Sequence, residues 1–279
     1  MEWLQHRVMW IAVCCPSATF AVWSSAWLHG AAASDDALDA LLPWGEAHDV
    51  VAGDPATAEA TGLPADGTGV VPVAELLAVL RGLGASGGHL VLPVPGDVRG
   101  LGTGPFATQA LGAGEAVLFT GTVFAAVPSP VAEGLVRWTV HSRAGSALTA
   151  PQPEYVGLGE AEHGLTAAVR ESAGALQAMD VARERSGVRE ELSARLRSAP
   201  EPAWPPQMPA RALRVLARAH EVGAILAMAQ ADDPGGAVSA TSAQQRSAAL
   251  RPLADAVRAA RRAAVNEAVR TFADRADRH

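Results

Sequence analysis

The sequence contains no lysine, so all 22 residues that carry a fixed positive charge are arginine. That absence removes chemistry, because a Walker-type phosphate loop needs its lysine beside the phosphates and a Schiff-base enzyme needs an amine nucleophile. Cysteine is almost as scarce. Cys14 and Cys15 are adjacent, a spacing that builds neither a disulfide framework nor the C-x-x-C of a redox or zinc site. No two of the eight histidines lie three to five residues apart with a third ligand nearby, so the expectation is no metal and no cofactor.

What remains is the composition of a folded protein. Hydrophobic residues make up 49% of the 279 and charged residues 18%, far from the polar, highly charged balance of disordered chains. The length suits two domains of about 100 to 150 residues each. The abundance of Ala, Gly, Pro and Arg without Lys is the codon signature of a high-GC genome. Residues 1–160 hold 5 Arg against 15 acidic residues, a net of −10, while residues 161–279 hold 17 Arg against 14, a net of +3. Complementary charge of this kind orients docking between the parts or between subunits, although salt screens exposed pairs.

The first 33 residues admit two readings. An uncharged run from Arg7 to Asp35 that ends in Ala31–Ala33 has the outline of a secretory signal or membrane anchor. Against this, Pro16 interrupts the run, Ser17 is placed to cap a helix, and Phe20, Trp23 and Trp27 recur at helical spacing opposite Ser24 and Ser25. Gly30 then stops that helix, and Ser34, Asp35 and Asp36 open another. The favoured reading is a folded αα-hairpin in a cytoplasmic protein.

Turn-forming residues from Trp44 to about Val71 predict mostly loop. Leu76, Leu77, Leu80 and Leu83 predict a helix, followed by a short strand from His89 to Val94. Glu115–Phe119 and Thr122–Val127 flank Thr120-Gly121 as a hairpin, and Leu135–Arg143 alternates with Val136, Trp138 and Val140 on one face. From Glu162 onward the pattern is helical: Leu165, Val169, Leu176 and Met179, then Leu192 and Leu196, then Leu213, Leu216, Val222, Ile225 and Leu226. A proline-rich connector, Pro200–Pro209, interrupts these helices. The last one runs through Leu250, Leu253, Val257, Val265, Val269 and Phe272, with Pro252 near its start.

Several motifs match in letters only. Gly84-Ala85-Ser86-Gly87-Gly88 has the G-x-S-x-G form but follows a helix and precedes a strand, the reverse of a nucleophile elbow. Gly102–Ala107 has the G-x-G-x-x-A form, yet Pro105 removes a donor where phosphate would sit and no βαβ unit surrounds it. Arg258, Arg261 and Arg262 lie near one side of the last helix with Arg270, Arg275 and Arg278 following, but the chain is acidic and lacks a reading motif, which excludes nucleic acid. His220 reads as a boundary or core histidine.

Two places carry candidate ligand-binding residues. Asp97 and Arg99 stand on a Pro/Gly turn leaving a buried strand, where a rigid scaffold presents a loop; the plainer reading is an Asx-type turn. Arg137, His141 and Arg143 share one face of the strand from Leu135, with Thr139 between them. These form a donor-rich strip suited to carboxylate or phosphate, or else the wet face of a half-exposed sheet.

The expected fold is α+β: N-terminal helices with a small, mostly antiparallel sheet, followed by an all-helical C-terminal bundle. The expected division is a loose extension at 1–16, an α+β domain at 17–150, a linker at 151–161 and a helical domain at 162–279. No nucleophile, base and orienter are signalled together, so the leading functional reading is a non-catalytic protein-interaction or regulatory protein, partnered by another protein or by its own copies. Beside it stand an enzyme or small anionic-ligand binder using Asp97/Arg99 and Arg137/His141/Arg143, and a secreted or membrane-anchored protein.

Overall fold

The computed structural model describes residues 15–98, 100–144, 155–178, 187–231, 240–276 and 278. The fold is α+β, as the sequence leads one to expect: N-terminal helices with a six-stranded sheet, then helices to the end. Two compact units are present. One takes in Cys15–Tyr155, Glu201–Pro209 and Val265–His279, and the other is built from Val156–Pro200 and Ala210–Ala264.

The sheet unit begins with helix α1 (Pro16–Leu28), with Cys15 at the N-cap position, its side chain making no capping hydrogen bond, and Pro16 in the first turn. Proline therefore starts this helix, because its fixed φ and missing N–H suit the first helical position. Residues 1–14, most of the expected loose extension, lie outside the described residues. Every residue from Pro16 to Ala26 is buried, so Ser24 and Ser25 are not a wet face opposite the aromatic stripe. The Ser25 hydroxyl donates to Ala21 O at 2.6 Å and accepts from Gly88 N at 2.9 Å. Gly88 is required there, since a Cβ would stand 2.9 Å from Ala21 Cα.

Helix α2 (Ser34–Asp39) and a short 3-10 turn (Leu42–Trp44) lead into strand β1 (Ala47–Ala52). Helix α3 (Pro55–Thr61) follows, with Asp54 as its cap. The stretch after Trp44 is thus a strand and a helix where sequence predicted mostly loop. A strand whose Val50, Val51 and Ala52 are all buried shows no alternation to read. Strand β2 (Val71–Pro72), helix α4 (Val73–Gly82), strand β3 (Gly87–Val91) and helix α5 (Pro105–Ala113) complete the first half. The meander β4 (Ala116–Thr120), β5 (Phe124–Ala132) and β6 (Leu135–Ser142) follows.

Strand order is β2-β1-β6-β5-β4-β3. Only β1 with β6 is parallel; the other pairs are antiparallel. The fully buried Trp138 anchors one face, with its ring 4.9 Å from that of Phe20 on α1. Its indole N–H donates to His48 Nδ1 at 3.1 Å, while His48 Nε2 meets Leu41 O at 3.0 Å. Both ring nitrogens are thereby satisfied, and burial holds this imidazole below the ordinary histidine value. On the other face Phe106 and Ala110 of α5 pack with Leu118, Ala125 and Val127.

The free edge at β3 is closed by the end of the chain. Asn266 Oδ1 accepts from Leu90 N at 3.0 Å, which removes an unpaired edge donor. A second long-range clasp is Glu115, whose buried Oε2 accepts from Ser17 N at 2.8 Å, at the first turn of α1. Burial pushes this carboxyl above its ordinary value, against the hydrogen bonds from Ser17 and Cys15 that favour the anion.

The helical unit contains α6 (Leu158–Ala178), α7 (Val188–Ser198), α8 (Ala210–Ala231) and the first part of α9 (Ala240–Ala276). Its core holds Leu165 and Ala168 of α6, Val215, Leu216, Val222 and Leu226 of α8, and Leu250, Leu253 and Val257 of α9. Ser172 Oγ donates to Ala249 O at 3.0 Å. Arg246 donates to Ala229 O at 2.6 Å in the last turn of α8, where carbonyls lack helical partners.

Candidate functional site on the β6 strip

The period of two along β6 puts Arg137, Thr139 and His141 on the face opposite Trp138, and Arg143 continues the row beyond the strand. Residues six apart on a strand are separated by about 20 Å at ~3.3 Å per residue. Arg137 and Arg143 therefore serve opposite ends of the strip. A single small anion cannot bridge them.

At the first end, parallel pairing sets Asp49 of β1 beside Arg137. The Arg137 guanidinium lies 3.6 Å from Asp49 Oδ2 and 4.0 Å from Asp66 Oδ1. Two carboxylates surround the one cation, at ion-pair rather than hydrogen-bond distance. Arg137 Nε is buried without a hydrogen-bond partner among the described residues.

The middle of the strip is covered by protein. His141 is only 6% exposed, and its Nε2 is hydrogen-bonded to Gln109 Oε1 of α5. An amide oxygen only accepts, so this contact places the ring proton on Nε2. Gln109 Nε2 in turn donates to Thr139 Oγ1 at 3.0 Å. The opposite ring edge packs on Gly53: a Cβ there would stand 2.6 Å from Cε1 and 2.7 Å from Nδ1. Phe106 closes a third side, ring to ring at 5.9 Å.

Burial lowers the His141 pKa, and the nearby Asp54 carboxylate opposes that shift. Asp54 itself is held below the usual carboxylate range by hydrogen bonds from Thr57, whose hydroxyl lies at 2.7 Å and whose amide lies at 2.8 Å. Burial thus disfavours the charged imidazole, beside a carboxylate whose anionic form is favoured.

At the far end Arg143 is half-buried, and desolvation lowers its pKa. One of its amino groups donates to Gly100 O at 3.4 Å. That carbonyl belongs to the loop carrying Asp97, where Val94 and Asp97 exchange both backbone hydrogen bonds around Pro95-Gly96. Gly96 has φ +90, the conformation that the third residue of a type II turn demands. Asp97 and Arg143 thus belong to neighbouring segments, whereas Arg99 lies outside the described residues. Among the described residues no three His, Cys, Asp or Glu side chains gather as a metal site.

Gln109, Gly53, Asp54, Asp49 and Asp66 complete the strip, and sequence reasoning singled out none of them. One signal was present: Asp54-Pro55-x-Thr57 has the form of a helix N-cap with proline in the first turn.

Family models match the chain twice, as the N-terminal domain of Rv1486c-like proteins over residues 17–155 and as their C-terminal domain over residues 159–262. The chain is 39% identical to "Uncharacterized protein Rv1486c" of Mycobacterium tuberculosis, covering 90% of this chain and 96% of that protein. It is 35% identical to "Uncharacterized protein ML1804" of Mycobacterium leprae and 32% to "Uncharacterized protein MAV321" of Mycobacterium avium, with the same coverage in each case. No solved structure matches it. The chain belongs to the Rv1486c-like protein family.

Proposed function

We propose that the chain is a non-catalytic interaction or regulatory protein of the cytoplasm. The observation that carries this reading is the use made of His141, the one group on the strip suited to moving a proton near neutral pH. Its Nε2 is given to Gln109, its other edge packs on Gly53, and burial disfavours its charged form. It joins β6, α5 and the approach to α3. The charge on Arg137 is likewise matched from within by Asp49 and Asp66.

The test is purification of a tagged chain from its native host at low salt, followed by mass spectrometry of proteins and small molecules together. A protein recovered near stoichiometry supports the reading. Recovery of a metabolite alone, lost from an Arg143→Ala variant, contradicts it. On localisation, no helix among the described residues is long and apolar enough to cross a membrane, and α1 lines the core of the sheet unit. A mature chain sequenced as starting near Ser34 would lack α1 and would overturn the cytoplasmic reading.

A second reading, a small anionic ligand, is favoured by two specific features. Arg137 Nε is a buried donor without a partner, and Arg143 lies half-desolvated beside the Asp97 loop. Calorimetric titration with phosphate and small carboxylates at low salt, near pH 6 and pH 8, tests it. Binding by the wild type that is lost in Arg137→Ala/Arg143→Ala supports a ligand site, and equal heats from both proteins remove it.

A further inference from the structure

Residues 201–209, Glu-Pro-Ala-Trp-Pro-Pro-Gln-Met-Pro, belong to the sheet unit although they stand between two segments of the helical one. Four of the nine are proline. Each proline biases the residue before it toward extended or polyproline geometry, so Glu201, Trp204, Pro205 and Met208 are all restricted. Prolines also lack the N–H, and what such a segment offers a receptor is its carbonyl oxygens and its ring faces.

Both are used here. The indole N–H of Trp23, a residue only 5% exposed on α1, donates to Ala203 O at 2.8 Å across 180 positions of sequence. Arg275, near the end of α9, donates to Gln207 O at 3.1 Å. Pro202, Pro205 and Met208 are buried, and Met208 N closes a turn onto Pro205 O at 2.9 Å. Glu201, Ala203, Pro206 and Gln207 face solvent. An indole and a guanidinium taking carbonyls of a segment whose Pro202 and Pro205 are buried resembles the way folded domains capture proline-rich peptides with aromatic side chains.

We infer that the surface around Trp23 and Arg275 is a recognition site for proline-rich segments, occupied in this chain by its own residues 201–209. The partner it fits is a protein carrying a stretch of the type Pro-x-Trp-Pro-Pro, which enters when the tethered strap is displaced. This deepens the interaction reading above by naming the partner's chemistry. A tethered segment holds its site at high effective concentration, so the strap is also a brake on such a partner.

The test uses the full chain with residues 201–209 replaced by Gly and Ser at equal length, and a synthetic peptide of the 201–209 sequence added in trans. Binding is read from the indole N–H resonance of Trp23, assigned with a Trp23→Phe variant. The expected result is saturable binding that returns this resonance to its position in the intact chain, with no binding to the intact chain itself. Trp23→Phe in the replaced chain, with peptide binding read by calorimetry because the variant lacks the reporter resonance, should weaken the peptide by roughly three- to tenfold, the equivalent of one neutral hydrogen bond. A replaced chain that folds but ignores the peptide overturns the inference and leaves the strap a plain connector. It does not touch the co-purification result, so the two readings fail separately. If the replaced chain does not fold, protease sites placed on both sides of the strap in the full chain allow folding before cleavage. Retention of the cut peptide through gel filtration supports the site, and its immediate loss overturns it.

Discussion

Replacing Gly53 with alanine adds one methyl group at a surface position, yet it should destabilise the sheet unit. The new Cβ would stand 2.6 Å from His141 Cε1, 2.7 Å from Nδ1 and 3.2 Å from Thr139 Cγ2. The imidazole has no ready retreat, because Gln109 holds Nε2 and Phe106 closes another side. Forcing a methyl into a packed site costs about 1–3 kcal/mol, and glycine to alanine returns about 0.4–1 kcal/mol through the unfolded chain, leaving a net loss of up to about 2.6 kcal/mol, with a midpoint of about 1.3 kcal/mol. Urea denaturation of Gly53→Ala, followed by near-ultraviolet circular dichroism, measures it. The same substitution in a His141→Ala background removes the obstructing ring, and the cost should fall by more than half. An equal cost in both backgrounds, or a gain in the wild type, would refute the reasoning that His141 is locked against the backbone at Gly53.

Other consequences follow from the core and its clasps. Leu216→Ala, at a buried position of α8, should cost about 2–5 kcal/mol, and an unchanged denaturation midpoint would show that the helical core is misassigned. Because burial raises the folded-state pKa of Glu115, its contribution is fully present below the unfolded value near 4.5 and is lost as pH rises through the folded value. The stability of wild type relative to Glu115→Gln should therefore decline from pH 4 upward, and parallel profiles would contradict the buried clasp. Asn266→Ala should leave the Leu90 N–H open on the edge strand and promote concentration-dependent self-association, measurable by light scattering; unchanged scattering would show that the edge is protected by other means.

Much of this fold is legible in the sequence, for reasons that particular residues make plain. Alternation along Leu135–Ser142 separates Trp138 from His141 without any structure, because the strand period is two. The stripe of Phe20, Trp23 and Trp27 likewise marks α1. Periodicity says which side chains share a face but not what covers it, and α5 lies over His141 where an exposed sheet face was one expectation. Strand β1 escapes because it is short, parallel to β6 and buried at consecutive positions. The partners of the strip come from remote segments: Asp49 and Gly53 from around β1, Gln109 from α5. No local pattern joins them. Nor does the even stripe of α9, from Leu250 to Phe272, mark that Val265–His279 belongs with the sheet unit.

The central claim is that the polar strip of β6 is spent on holding the fold, and His141 reports on it most directly. Nitrogen-15 NMR of the imidazole, titrated with pH with and without phosphate, reads both tautomer and pKa at that ring. The expected result is a proton on Nε2, a pKa below the ordinary value near 6.5 because the ring is buried, and no response to phosphate. A ring that titrates like a free histidine, with a pKa that climbs as phosphate is added, would show an accessible anion site and contradict the account.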